Sequence, residues 1–398
     1  MINDLFKYFS RIFIEIVLLA LLSADGSAQS FTSPISWHHT VYEARVSALG
    51  QSTAALHNRT SYHMNPAIPL ESGVLSASSF LFSATAFEST VIPDGASLHS
   101  PSIGYSSRGF SYSVLMDYTS FINTHEPNSG GGNYSNSLLR FQTGYQINES
   151  FSIGAGFLYS FYKSPIFNFN GENFGGDATA WGINLGGYYR NQFESDSFDF
   201  RPQAGLSLND LSDGFNFEST EMNEINLPGQ IRLGLGLDIS SKNLRHNRPL
   251  FGGGIYSGFS KYLARWEMDG QSSQITSPSG FEALFKTWTS FERFNGTEMV
   301  EISLGEQIST SLGFEFHYLE TFYLRYGIVG GSDYWIRPQN GLGAEVDLYY
   351  LSLAVTHLNY HSSDRWGPQD NSTFVQATFR LPIDGQSSDT LLSRLFGR

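Results

Sequence analysis

The sequence predicts an all-β chain, a transmembrane antiparallel β-barrel of about fourteen strands. Three observations carry that expectation. Apolar residues alternate with polar or small ones over stretches of about ten residues, long enough for a tilted membrane strand. The connections between these stretches are short and long by turns. No apolar run after residue 28 approaches the ~20 residues of a membrane helix.

The elements follow in chain order. Lys7 and Arg11 precede the apolar run Ile12 to Leu22, and Gly26-Ser27-Ala28 offers small residues for cleavage. Residues 1–28 therefore read as a signal peptide. The chain has no Cys, which excludes a disulfide framework and thiolate metal sites. Net charge is −14, and removing the two cations and three anions of residues 1–28 leaves −13, which argues against nucleic acid as a partner. An exported chain with 33 Phe, 21 Tyr and 40 Gly, yet only 40% apolar, is either a large soluble β-protein or an outer-membrane barrel.

Alternation is clear in three places. Phe110, Tyr112, Val114, Met116 and Tyr118 alternate with Ser111, Ser113, Asp117 and Thr119. Phe151, Ile153, Ala155, Phe157 and Tyr159 alternate with Ser152, Gly154, Gly156 and Ser160, and Ile231 to Ile239 repeats the pattern. Period two places each set on one face of a strand. Fourteen strands are expected near 74–84, 101–107, 109–120, 137–147, 150–162, 177–190, 197–207, 229–240, 249–262, 307–318, 321–330, 341–349, 351–360 and 372–381. Short turns fall at Ser107-Arg108, Asn148-Glu149 and Leu319-Glu320-Thr321. Long polar loops cover 121–136, 163–176, 209–228, 263–306 and 361–371. A soluble sandwich has no reason for this asymmetry, whereas an outer-membrane barrel keeps its short turns periplasmic. Gly252-Gly253-Gly254, inside a strand, marks a kink or crowding in the wall. The barrel occupies 72–382 and a periplasmic tail follows at 383–398.

The loop 263–306 carries Phe281, Leu284, Phe285, Trp288, Phe291 and Phe294 at helical spacing, with Ser279 and Glu282 as a capping box and Asn295-Gly296 as a stop. One amphipathic helix is expected there. Its apolar face packs on neighbouring loops or serves as a landing site, with Phe281, Leu284, Phe285, Trp288 and Phe291 contacting ligand or partner.

Ahead of the first strand, Asn65-Pro66-Ala67 is a proline-locked turn. Proline fixes its own φ and pushes Asn65 out of helix, and the Asn side chain can bond the backbone two residues on. Small Ala48, Ala54 and Ala55 let the segment lie close against a wall. These residues carry a resemblance. Ala48-Leu49-Gly50-Gln51-Ser52, Ala54-Ala55-Leu56 and Asn65-Pro66-Ala67 resemble the N-terminal signature of the FadL-type family of outer-membrane barrels. Glu43-Ala44-Arg45 is similar to the Asp-Ala-Arg that opens the PorV/PorQ branch, with Glu43 in place of Asp. Phe151-Ser152-Ile153-Gly154, the block Ala204 to Leu211, Leu227 to Gly234, and Tyr323-Leu324-Arg325-Tyr326-Gly327 followed by Gly341-Leu342-Gly343-Ala344 resemble that branch in order.

The likeness spans residues 43–381. It implies that residues 29–71 plug the barrel, with Gly50, Asn65, Pro66 and Ala67 as plug residues. It implies two functions. A PorV/PorQ-like chain is non-enzymatic and acts with protein export of the type IX kind, its partners being secretion-system components and secreted cargo; the ordered late blocks favour this. A FadL-like chain passes long-chain fatty acids or other hydrophobic small molecules.

Other chemistry finds little in the sequence. His38, His39, His57 and His63 cluster, but adjacent His38 and His39 point apart, so no metal site is expected. A surface hydrolase would want a Gly-x-Ser-x-Gly elbow beside a histidine such as His357, and none occurs. No phosphate loop is present, and no catalytic residue or cofactor is expected.

Overall fold

The computed structural model describes residues 43–52, 54–57, 64–85, 97–123, 132–163, 167–169, 172–174, 176–212, 214, 216–217, 229–245, 247–263, 265–269, 272–276, 280–294, 299–331, 339–360 and 372–383. The expected signal peptide and the expected C-terminal tail beyond Ile383, and His38, His39 and His63, lie outside them.

Fourteen strands make one closed antiparallel wall. They are β1 (Val74–Thr85), β2 (Ser102–Ser107), β3 (Phe110–Asn123), β4 (Gly132–Gln146), β5 (Phe151–Lys163), β6 (Ala178–Arg190) and β7 (Phe198–Ser212). The second half is β8 (Gly229–Ser241), β9 (Phe251–Leu263), β10 (Ile308–Tyr318), β11 (Phe322–Gly330), β12 (Gln339–Asp347), β13 (Leu351–Tyr360) and β14 (Ser372–Pro382). Each pairs with its sequence neighbours, and β1 closes the ring on β14 from Val74↔Pro382 to Thr85↔Ser372. Closure leaves no sheet edge.

The alternation is inside out relative to a soluble protein. The large apolar set faces outward: Tyr112 and Trp181 are each 52% exposed, and Ile153, Phe157, Leu233, Phe259, Phe314 and Tyr326 share that outer face. Ser111, Ser113, Ser152, Gln203, Ser207 and Arg325 point inward and are buried. An apolar exterior over a closed ladder satisfies every requirement of a wall bathed in hydrocarbon. Gly252 to Gly254 run through β9 without a register shift, so they answer crowding rather than a kink. A Cβ on Gly252 would lie 2.6 Å from the His317 ring, and one on Gly254 would meet the Tyr256 ring.

The tight turns have local causes. Leu319 (φ 55°) and Glu320 (φ 46°) are both left-handed, the hairpin geometry that suits strand twist. Asn148 Oδ1 accepts from the Ser150 and Phe151 amides, 2.9 Å each, closing the β4–β5 turn.

The long-loop side departs from expectation. β3 and β4 extend into 121–136, pairing out to Asn123↔Gly132. The amphipathic helix is absent: Gly280–Glu282 form one 3-10 turn and Ala283–Lys286 one α-turn. Thr287 and Trp288 end it, because Thr287 Oγ1 donates to the Ala283 carbonyl (2.7 Å) and Trp288 Nε1 to that of Leu284 (2.5 Å). Phe291–Phe294 then pairs with Met299–Ile302 as a hairpin. Phe-Glu-Arg-Phe fits a helical stripe at its ends, but a strand partner at the right distance wins.

Candidate functional site in the barrel lumen

The N-terminal segment lies inside the barrel as a belt. Ala44–Ala48 is a helical turn capped by Glu43, whose Oε2 accepts from the Val46 amide at 2.6 Å. Gly50 (φ 66°) and Gln51 (φ 58°) then bend the chain along the wall. From there it sweeps around the circumference. The Ala44 amide donates to Gln376 on β14 (2.7 Å), and Thr356 on β13 donates to the Ala44 carbonyl (2.6 Å). Ser47 and Ala48 lie on β12, Leu49 and Gly50 on β10 and β11, Ser52 on β9, Ala54 and Ala55 on β7 and β8, and Asn65-Pro66 on β4 to β6. The Leu70 amide reaches Ser111 on β3 (3.0 Å), and the chain turns into β1.

Ten inward glycines on the nine successive strands β4 to β12 receive this belt. A Cβ on Gly313 would lie 2.5 Å from the Leu49 carbonyl, one on Gly341 2.6 Å from that of Ser47, and one on Gly234 2.7 Å from the Ala55 amide. At Gly205 it would overlap the Ala54 carbonyl outright. The wall is glycine-lined where the belt crosses it because any side chain there would displace the belt's backbone.

Asn65, fully buried, is the node of the far end. Its Oδ1 accepts from the Ala67 amide (3.0 Å), the expected turn; its Nδ2 donates to the carbonyls of Ala54 (2.7 Å) and Gly187 (3.1 Å). Pro66 rests on Gly144 and Gly154, and Ser152 donates to the Ala67 carbonyl at 2.6 Å. Gly50, in the left-handed region, has the Ile328 carbonyl 2.5 Å from where a Cβ would stand.

On the short-turn side of the belt the lumen is charged. Arg45 pairs with Glu315 (2.9 Å), which also binds Arg325 (2.6 Å), and Arg325 binds Glu345 (2.7 Å). Arg45 Nη1 further donates to the His57 carbonyl (2.6 Å), and Arg380 pairs with Asp347 (2.9 Å). All of these except Asp347 border a cavity of about 80 Å³. Burial pushes the Glu43 carboxyl up to about 7, with the Val46 amide, Arg45 and Arg325 opposing. On the long-loop side the inward face carries an apolar sector, Leu138, Leu158, Ala178 and Ala180 with Tyr162 packed against them. Beside it Arg140 is held by Asp117 (3.0 Å) and Asp210 (3.3 Å).

The structure thus brings Gly50, Asn65, Pro66 and Ala67 together on the wall. It does not bring the aromatic loop residues to them. Leu284 packs with Ala283 on Leu211 and Leu263, Phe291 is buried in its hairpin, and Phe281, Phe285 and Trp288 are exposed. Sequence reasoning missed the Arg45–Glu315–Arg325 network: Arg45 lies 270 residues from Glu315, and no local motif marks the pairing. His57 stacks on Tyr188, and His357 Nδ1 lies 3.0 Å from Thr373 Oγ1.

A closed antiparallel barrel with an apolar exterior and a polar, filled lumen is an integral protein of the bacterial outer membrane. Comparison with solved structures returns barrels. The Pseudomonas putida toluene transporter TodX has 12% identity and a TM-score of 0.40, over 85% of this chain and 97% of that one. A Pseudomonas aeruginosa FadL homologue has 11% identity and a TM-score of 0.40, over 90% and 100%. CdiB from Acinetobacter baumannii has 12% identity and a TM-score of 0.38, over 79% and 61%. No protein-family model matches the chain, and no curated protein does either.

Proposed function

We propose that this barrel is a FadL-like channel for hydrophobic small molecules, long-chain fatty acids among them, and that the belt 43–70 is its plug. The observation that carries the reading is the division of the lumen at the belt: on one side Leu138, Leu158, Ala178 and Ala180 form an apolar sector beside the Arg140–Asp117–Asp210 ion cluster, and on the other lies a charged vestibule. An apolar solute would enter the first, and could leave through the second only once the belt moves. The secretion-linked alternative has no observation of its own. The late blocks that resemble the PorV/PorQ branch include Gly205, Gly234, Gly327, Gly341 and Gly343, and belt packing accounts for these glycines.

The chain lacks Cys, so a lock can be installed cleanly. Ser52 on the belt and Ser311 on β10 have their hydroxyls 2.8 Å apart, and Ser52→Cys with Ser311→Cys would join them by a disulfide. Oxidised, the double variant should stop uptake of radiolabelled oleate by cells expressing it; reduced, it should restore uptake. Uptake indifferent to the lock would refute a route past the belt. Loss of exported surface proteins on deletion of the chain, with oleate uptake unchanged, would favour the secretion role.

A further inference from the structure

The aromatic turn at 280–288 sits on the outside of the barrel wall. Register places Leu263 beside Gly229, Lys261 beside Ile231, Phe259 beside Leu233, and Leu208 beside Ile231. Leu233 and Phe259 are outward residues, 46% and 45% exposed, so Lys261, Leu263, Ile231 and Leu208 share their face. It is on this face that Ala283 and Leu284 pack, against Leu211, Leu263, Ile183, Leu208 and Ile231. Lys261 is an outward cation, yet it is only 2% exposed: the Trp288 ring lies over its ammonium at 5.3 Å, and its Nζ donates to the Tyr262 carbonyl at 2.9 Å. Gln307 fixes the far end by donating to the Thr289 carbonyl at 2.9 Å.

We infer that this turn is a membrane-interface anchor whose partner is the acyl-chain region of the adjoining leaflet. Ala283 and Leu284 seat it directly on the lipid-facing wall. Phe285 is 81% exposed and Phe281 53%, at the long-loop rim where barrels carry their aromatic girdles. Glu282 and Lys286, paired at 2.6 Å, supply the polar strip that belongs at the headgroup level. The turn also covers a cation that would otherwise face hydrocarbon, which gives it a reason to lie flat on the wall instead of over the pore. Phe281 and Phe285 then add apolar area to the lipid contact, and Trp288 shields Lys261.

Site-directed spin labelling of the full chain in phosphatidylcholine vesicles tests this. Phe285→Cys carries the label, Leu233→Cys is the lipid-facing reference and Gly305→Cys, exposed on the same side, the aqueous one. The expected result is a collision ratio of dioxygen to a nickel chelate several-fold higher at 285 than at 305, approaching that at 233. A ratio at 285 equal to that at 305 would mean that the aromatics face water, and the anchor would be refuted. Inaccessibility to both reagents would mean protein covers them, and would refute it equally. If the 285 variant fails to insert, Phe281→Cys carries the same test.

Discussion

Replacing Asn65 with Ala removes three hydrogen bonds at one stroke. The Gly187 carbonyl sits within a paired strand, so the damage falls on the Ala67 amide and the Ala54 carbonyl, both within the buried belt. Each buried group left without a partner costs about 1–3 kcal/mol, so the seated belt should lose about 4 kcal/mol relative to the withdrawn one. At ~1.4 kcal/mol per decade, withdrawal becomes about a thousandfold more frequent. The wall, held by its own ladder, should keep heat-modifiable migration on gels. The assay is single-channel recording in planar bilayers, where opening events should rise steeply, with sensitivity of intact cells to a large antibiotic as the cellular counterpart. A variant that inserts normally and shows wild-type event frequency would refute the role given to Asn65. One that fails to insert would show the turn to be an assembly element of β1 instead of a retainer.

Three further expectations follow from the same geometry. Gly205→Val must displace the Ala54 carbonyl and should raise conductance as Asn65→Ala does, whereas Gly187→Ala, where a Cβ meets nothing within 4 Å, should be silent in the same recordings. Glu43 is held near 7 when seated against 4.5 when free, so its contribution is full below 4.5 and lost as pH rises through about 7, a swing of about 3 kcal/mol. Openings should therefore increase between pH 5 and 8, and Glu43→Gln should flatten that profile; an unchanged slope would exclude Glu43 as its source. Finally, Gly305→Cys should react with an impermeant maleimide on intact cells while Glu149→Cys should not, and equal labelling would overturn the orientation of the barrel.

The wall was legible because lipid on one side and a tight lumen on the other impose period two on every strand. Phe151 to Tyr159 alternates large with small for that reason alone, and the structure sets the large residues outward. The turn at Asn65 was legible too, since Asn-Pro closes on itself over two residues. The belt's seating was not. Ala44 meets Gln376 across 332 residues, and nothing in either neighbourhood marks the partner. The wall glycines were visible, but glycine in a strand reports only that something comes close, not what. The aromatic loop misled for a different cause. Phe281 to Phe294 fits a helical stripe, yet Thr287 and Trp288 spend their donors on the preceding carbonyls and the rest finds a strand partner.

The belt's fastenings differ along its length, and that difference orders its release. The Asn65 end is continuous with β1, so it cannot travel far even when its hydrogen bonds break. Among the described residues the Glu43 end is held to the wall by Arg45 on Glu315, by Gln376 and by Thr356. Between them Val46, Leu49, Leu56 and Met64 form a small core with Leu115 and Tyr256, which couples the two ends but faces a polar lumen on the short-turn side. The Arg45–Glu315 pair is nearly buried, but withdrawal returns both charges to water, and the hydration regained offsets much of the attraction lost. Opening should therefore begin at Glu43–Ser52 and spread through Ala54 to Asn65, with Ile68–Leu70, next to β1, remaining in place as the hinge. The disulfide between positions 52 and 311 clamps the moving part, which is why it should close the route, while a clamp placed at Leu70 should leave it open.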